Sequence, residues 1–163
     1  GRSGQRIGEF LAIEDIPFIA LDLDPQRIAE AQAMGINVVF GNADRREVLQ
    51  AAGLARARAV VITYPDTHSA ERALRIVRQT RPDIPVVIRT ADDKDTARLK
   101  AAGATEVIPE VLEGSLLIAA ETLVQAGIPM SQAIQHVRSA RAERYASLRD
   151  FYEPDQEKPA KRS

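Results

Sequence analysis

Two glycines and one aspartate are the first residues of this chain whose spacing indicates chemistry. Gly1 and Gly4 stand at its start, and Asp22 follows Gly4 by 18 residues, directly after an apolar run. In dinucleotide-binding folds, glycines let a backbone turn approach a pyrophosphate, and an acid about 20 residues further on accepts hydrogen bonds from a ribose. The spacing matches the second half of that fingerprint, so it predicts a nucleotide site.

A G-x-x-G pattern alone is common, and residues 1–4 could also be a remnant of an expression vector. Against that alternative, Gly4, Gly8 and Leu11 recur on one face of a predicted helix. Small residues on such a face are what close packing of a helix on a strand needs. The same helix is expected to turn Phe10 inward.

Length and composition exclude several classes of protein. A chain of 163 residues suits one domain with a substantial core. Its net charge of −1 argues against nucleic acid as a partner. The absence of cysteine removes disulfides, thiolate catalysis and cysteine metal sites. No apolar run approaches the ~18 residues typical of a membrane span.

Helices and short apolar strands alternate along the first part of the chain, which predicts an α/β fold. Strands are expected over 17–21, 37–40, 59–62, 85–88 and 106–108, and helices over 2–14, 25–34, 67–79 and 95–102, with a short helix before Gly53. This alternation indicates a Rossmann-like, doubly wound parallel sheet. We expect its central first strand to be missing from this chain, which would leave a gap between the strands ending at Asp22 and Thr63.

The sequence after residue 110 breaks this rhythm. Residues 111–126 form a helix that is apolar on more than one side, and a second helix follows with Ser131 as its predicted cap. A second copy of the chain would cover the extra apolar surface; the alternative is cover by the chain's own C-terminal segment. We therefore expect a nucleotide-binding domain over 1–110, dimerisation helices over 111–152 and a disordered tail over 153–163.

Candidate ligand-binding residues follow the strands, because ligands of doubly wound sheets bind beyond the carboxyl ends. Asp22 would accept from ribose hydroxyls, which favours NAD-type or AMP/ATP-type ligands over NADP. Asp24 has a simpler role as the cap of the next helix. The turn of Asn42 and Ala43 could meet the adenine edge, although Asp44 in this turn could equally be a plain helix cap.

The next two strand ends add Thr63, Tyr64 and Arg89. Arg89 could bind a phosphate, pair with an acid such as Glu110, or remain a solvated surface residue. Catalytic and metal-binding patterns are weak. His68 and His136 are isolated, so no metal site is expected. An NAD-dependent oxidoreductase remains the alternative function, but it would need an acid–base pair that the sequence does not offer.

Four segments together resemble the N-terminal domain of regulators of potassium conductance, also called the KTN or TrkA-N domain: residues 1–5, 21–25, 40–44 and 98–110. Three further segments resemble the C-terminal cytosolic domains of Kef-type potassium:proton antiporters: residues 113–116, 127–130 and 144–145.

The resemblance implies a non-enzymatic, cytosolic homodimer at the inner face of the plasma membrane. It would be joined to a membrane-embedded transporter portion of the same polypeptide, outside this chain. It would bind NAD(H) or an adenine nucleotide such as AMP or ATP, and so gate ion flux. The site residues it implies are Gly1, Arg2, Ser3 and Gly4 for phosphate, Asp22 for ribose, Asn42 and Ala43 for adenine, and Thr63 and Arg89 at the strand ends.

Overall fold

The computed structural model describes residues 2–64 and 66–145. The chain divides into two compact units, Gly1–Pro109 and Glu110–Ser163. Gly1 and the expected tail over 153–163 lie outside the described residues. Each unit is described below by itself.

The first unit alternates helices and strands as its sequence pattern predicts. The helices are α1 (Arg2–Ile13), α2 (Pro25–Ala33), α3 (Arg46–Ala51), α4 (Thr67–Thr80) and α5 (Thr96–Ala101). The strands are β1 (Ala20–Asp22), β2 (Val38–Phe40), β3 (Val60–Ile62), β4 (Val86–Thr90) and β5 (Glu106–Pro109).

All strand pairs in the described part of the chain are parallel, and they form two sheets. One sheet pairs β1 with β2, with Asp22 opposite Phe40. The other has the order β3-β4-β5. The predicted parallel α/β, Rossmann-like architecture is confirmed. The two strands expected on either side of a gap, β1 and β3, belong to different sheets.

The core of the first unit lies on the β3-β4-β5 sheet. β4 alternates buried and half-buried residues, so Val86, Ile88 and Thr90 face the core. Helix α4 covers it with the stripe Ala70, Ala73, Leu74 and Val77, which recurs at helical spacing. Burying this stripe supplies much of the apolar stabilisation, at about 25 cal/mol per Å².

The β1–β2 sheet is less buried, which corrects two expectations. All three residues of β1 are half-buried, although the apolar run before Asp22 predicted a fully buried strand. Phe10 of α1 was expected inside, but it is 63% exposed. The inward face of α1 is instead the one that carries Gly8, which is buried.

The second unit consists of α6 (Glu110–Gln125) and α7 (Met130–Arg144). The prediction that Ser131 caps α7 is wrong, because the helix begins at Met130 and Ser131 lies within its first turn. Its first amides are satisfied by a backbone carbonyl, as Gln132 and Ala133 donate to the carbonyl oxygen of Pro129.

Helix α6 has no buried residue in this unit, although its sequence is strongly apolar. Leu117 is 70% exposed and Ile118 is 69% exposed. A side-chain cluster joins α6 to α7 instead: Arg141 donates to Glu113 at 2.9 and 2.6 Å, and the Tyr145 hydroxyl donates to the other Glu113 oxygen at 2.7 Å.

Candidate functional site

The start of α1 lies against the carboxyl end of β3. A Cβ built on Gly4 would come within 3.9 Å of the Thr63 hydroxyl oxygen, and one built on Gly8 would come within 3.0 Å of the Phe18 ring. The predicted small-residue face of α1 therefore packs closely in the structure. Because α1 has 12 residues, its N-terminus places the positive end of a helix dipole at this edge.

Asp22 ends β1 and begins the turn into α2. Its Oδ1 accepts a hydrogen bond from the Asp24 amide at 2.9 Å, and the residue is half-buried. Asp24 caps α2 by accepting from the amides of Gln26 and Arg27, as predicted. The two acids of this segment thus have separate roles, and Asp22 is the one at the strand end.

The turn after β2 is held by side chains rather than by helix capping. Asn42 Oδ1 accepts from the Asp44 amide at 2.9 Å. Arg72 of α4 donates to Asp44 Oδ2 through Nε at 3.1 Å and a terminal nitrogen at 2.8 Å. The capping role considered for Asp44 is wrong: α3 begins after Arg45 and has no side-chain cap.

Tyr64 connects this turn to the end of β3. Its hydroxyl oxygen accepts a hydrogen bond from the Ala43 amide at 3.2 Å. Burial raises the pKa of the Tyr64 hydroxyl, and the nearby carboxylates of Asp44 and Asp22 raise it further, against the lowering effect of the Ala43 bond. The Tyr64 hydroxyl therefore connects the ends of β2 and β3, and the Asp22 carboxylate at the end of β1 is near enough to raise its pKa.

The sequence places Tyr64 at a strand end, but neither the spacing nor the resemblance assigns this residue a contact. The available signal was its position directly after Thr63 at a strand end, where ligand contacts concentrate. That signal could not reveal the bond to Ala43, because the partner lies 21 residues away in the chain and in the turn of another sheet.

Arg89 lies further along the same edge. Val61 pairs with Val87 and Ile62 with Ile88, so the next register position places Arg89 beside Thr63. On the other side of β4, Arg89 aligns with Ile108. The backbone thus carries Thr63 and Arg89 to one edge, next to the start of α1.

The polar groups at this edge suit noncovalent recognition. They offer a carboxylate for hydroxyl groups, helix and turn amides for oxygen or nitrogen acceptors, and a guanidinium for phosphate. In the described residues, no three histidine, aspartate or glutamate side chains are grouped closely enough to hold a metal ion. Across the same residues, no helix is both long and apolar enough to cross a bilayer.

The TrkA-N domain family model matches residues 1–110, and the chain therefore belongs to the TrkA-N domain family. Among curated proteins, it is 39% identical over 152 residues to the putative K(+) efflux antiporter KefB of Alkalimonas amylolytica. That match covers 93% of this chain but 23% of the relative, so the chain spans about a quarter of the antiporter's length.

Two solved structures support the same assignment. The TrkA-N domain of inner membrane protein YbaL from Escherichia coli is 30% identical with a TM-score of 0.65, over 72% of this chain and 90% of that one. The Kef C-terminal domain of Shewanella denitrificans, solved in an AMP-bound form, shares the fold at 24% identity and a TM-score of 0.77. This second match covers 93% of this chain and 92% of the other.

Proposed function

We propose that this chain is the nucleotide-sensing regulatory domain of a potassium:proton antiporter, and that it binds an adenine nucleotide without transforming it. The observation that carries the proposal is that Asp22, Ala43 and Tyr64 stand at the carboxyl ends of β1, β2 and β3, with Ala43 bonded to Tyr64. Such an edge is where doubly wound sheets bind nucleotides. AMP in a relative of the same fold and the antiporter relatives support the choice of ligand and of system.

The ligand lies along the edge with its phosphate at the start of α1. There Gly4 leaves room for close approach, and Thr63 and Arg89 supply a hydroxyl and a guanidinium. Asp22 accepts from the ribose, and the amide of Ala43 faces the adenine. AMP, ATP and NAD(H) all contain the adenosine moiety that this arrangement recognises.

The second unit passes the bound state to the transporter. In this proposal residues 111–152 form a homodimer through the exposed apolar side chains of α6. The chain lies at the cytoplasmic face of the membrane, and the membrane-embedded transporter portion belongs to the same polypeptide. A ligand shifts such a system only if it binds one arrangement better. Moving the populations from 1:99 to 99:1 takes a difference of about 5.5 kcal/mol.

Exchange of Asp22 for Asn tests the nucleotide site. The Asp22→Asn variant keeps an acceptor for the Asp24 amide but loses the charge that binds the ribose hydroxyls. We expect AMP affinity to fall by about tenfold or more, since hydrogen bonds to charged groups contribute about 1.5–3 kcal/mol. Isothermal titration calorimetry with AMP, ATP and NADH measures the change.

The matched control is Asp83→Asn. Asp83 is exposed in the turn before β4, at the amino end of the strand and so at the opposite edge of the sheet. It should leave all three affinities unchanged. Absence of binding by the unmodified chain at millimolar nucleotide would contradict the proposal. In vesicles holding the complete antiporter, the nucleotide response of potassium flux should disappear with Asp22→Asn.

A further inference from the structure

The Tyr64 hydroxyl and a bound adenine would need the same backbone donor. The Ala43 amide donates to Tyr64 at 3.2 Å, and each backbone residue has one N–H to donate. Ala43 lies in the turn that the proposed function assigns to adenine. Adenine N1 is a hydrogen-bond acceptor, so it and the tyrosine oxygen compete for one hydrogen.

The neighbouring polar side chains of the turn already form hydrogen bonds within the protein. Asn42 Oδ1 holds the Asp44 amide, and the Asp44 carboxylate holds two nitrogens of Arg72. Arg72 also donates to the hydroxyl of Ser69 at 2.8 Å, which fixes it to the first turns of α4. A ligand therefore meets a turn in which the Ala43 amide donates to the hydroxyl oxygen of Tyr64.

The Tyr64 side chain is half-buried, and its hydroxyl oxygen accepts from the Ala43 amide. The ring packs against the core cluster together with Leu21 and Ala43. Because burial and two carboxylates keep the hydroxyl protonated, it competes for the amide as a neutral oxygen rather than as a stronger anionic acceptor. A neutral bond of this kind contributes about 1 kcal/mol, which a ligand can outcompete.

We propose that the Tyr64 hydroxyl is a built-in competitor for the adenine edge, which lowers the affinity of the site for adenine nucleotides by occupying the Ala43 amide. The inference rests on the proposed nucleotide site and adds a residue that sets its affinity. Ligand binding replaces the bond between Tyr64 and Ala43 with one from Ala43 to adenine N1. A purine with a hydrogen on N1 cannot make this replacement.

The test compares AMP with IMP, whose N1 carries a hydrogen, on the unmodified chain and on Tyr64→Phe. Phenylalanine keeps the packed ring and removes the oxygen. We expect Tyr64→Phe to bind AMP about three- to tenfold more tightly, since no internal bond has to be broken. IMP affinity should stay within about twofold of its original value, because N1 of that base carries a hydrogen and cannot accept from the freed amide.

Tyr145→Phe is the matched control, because it removes a tyrosine hydroxyl from the second unit and should change neither affinity. Hydrogen exchange of the Ala43 amide is a second readout that needs no ligand, and it should accelerate in Tyr64→Phe. The proposed competition by Tyr64 would be contradicted if Tyr64→Phe left the exchange rate of the Ala43 amide unchanged. It would also be contradicted if this variant bound AMP no more tightly, or gained as much affinity for IMP as for AMP. If neither form binds AMP, both proposals fail. If the unmodified chain binds AMP and Tyr64→Phe gains nothing, the competitor alone fails.

Discussion

The hydroxyls of Tyr64 and Tyr145 have opposite hydrogen-bonding roles. Tyr64 accepts from a backbone amide, whereas Tyr145 donates to the carboxylate of Glu113 at 2.7 Å. Burial raises the pKa of both hydroxyls. The carboxylate that accepts the proton of Tyr145 raises that pKa further, because it favours the protonated phenol. Tyr145 therefore holds α6 to α7 through its proton.

The pKa of Tyr145 predicts a loss of stability in alkali. A folded pKa above the unfolded value of about 10 gives stabilisation that is complete below about pH 10 and is lost as pH rises through the folded pKa. Tyr145→Phe lacks this contribution at every pH. We expect the unmodified chain to be more stable than Tyr145→Phe near pH 8, and this difference to shrink near pH 11.

Urea unfolding at the two pH values measures the difference. Glu121→Gln is the control, since Glu121 accepts only from Gln125 on its own exposed helix among the contacts described, and its stability difference should not change with alkali. A constant difference between the unmodified chain and Tyr145→Phe would mean that the hydroxyl proton does not hold the two helices.

Helices α1 and α6 each contain an interior glycine, in opposite surroundings. A Cβ on Gly8 would meet the Phe18 ring at 3.0 and 3.3 Å, whereas one on Gly114 would meet nothing within 4 Å. We expect Gly8→Val to lower the free energy of unfolding by about 1–3 kcal/mol through overpacking. Gly114→Val should stay within about 0.5 kcal/mol, because valine has only slightly better helix propensity than glycine.

Thermal and urea unfolding of the two variants give the comparison directly. The same substitution is made in both helices, so helix propensity cancels and the packing at Phe18 remains. Equal stabilities would show that α1 does not pack on this residue through Gly8.

Elements with a strong local pattern could be predicted from the sequence. The position of α4 and the cap of α2 by Asp24 follow from residues within a few turns of each other, and the structure confirms both. The positions of the strands follow from short apolar runs between turn residues, and all five are found, with ends shifted by up to three residues. Local rules of capping and burial suffice for these features.

Features that depend on distant partners could not be predicted. Asp44 has the sequence context of a cap, but Arg72, 28 residues later, takes its carboxylate. Phe10 has the hydrophobicity of a core residue, but the side of α1 that packs is chosen by the close approach at Gly8. The candidate site follows the same division: spacing predicted the position of Asp22 at a strand end, but the contact of Tyr64 with Ala43 was missed because it is long-range.

Among the described residues of the second unit, α6 leaves several large apolar side chains exposed. Leu117 and Ile118 are adjacent on α6, and Val111 on the same helix is 63% exposed. If this surface forms the proposed homodimer, Leu117→Glu should shift the chain from dimer to monomer, since burying an unpaired charge costs several kcal/mol. Sedimentation velocity over a range of concentrations measures the shift.

Ser131→Glu is the matched control, because it adds the same charge at an exposed position in the first turn of α7. It should leave the dimer intact. A monomer at every concentration in the unmodified chain, or equal dissociation in both variants, would contradict a dimer through α6 and would leave its exposed surface to another partner.

The division of the strands into two sheets gives the proposed site a mechanical role. Asp22 ends a strand of one sheet, and Thr63 follows a strand of the other. A molecule that contacts both residues connects the two sheets. Its binding energy then opposes relative motion of the two sheets, so ligand binding makes the first unit more rigid.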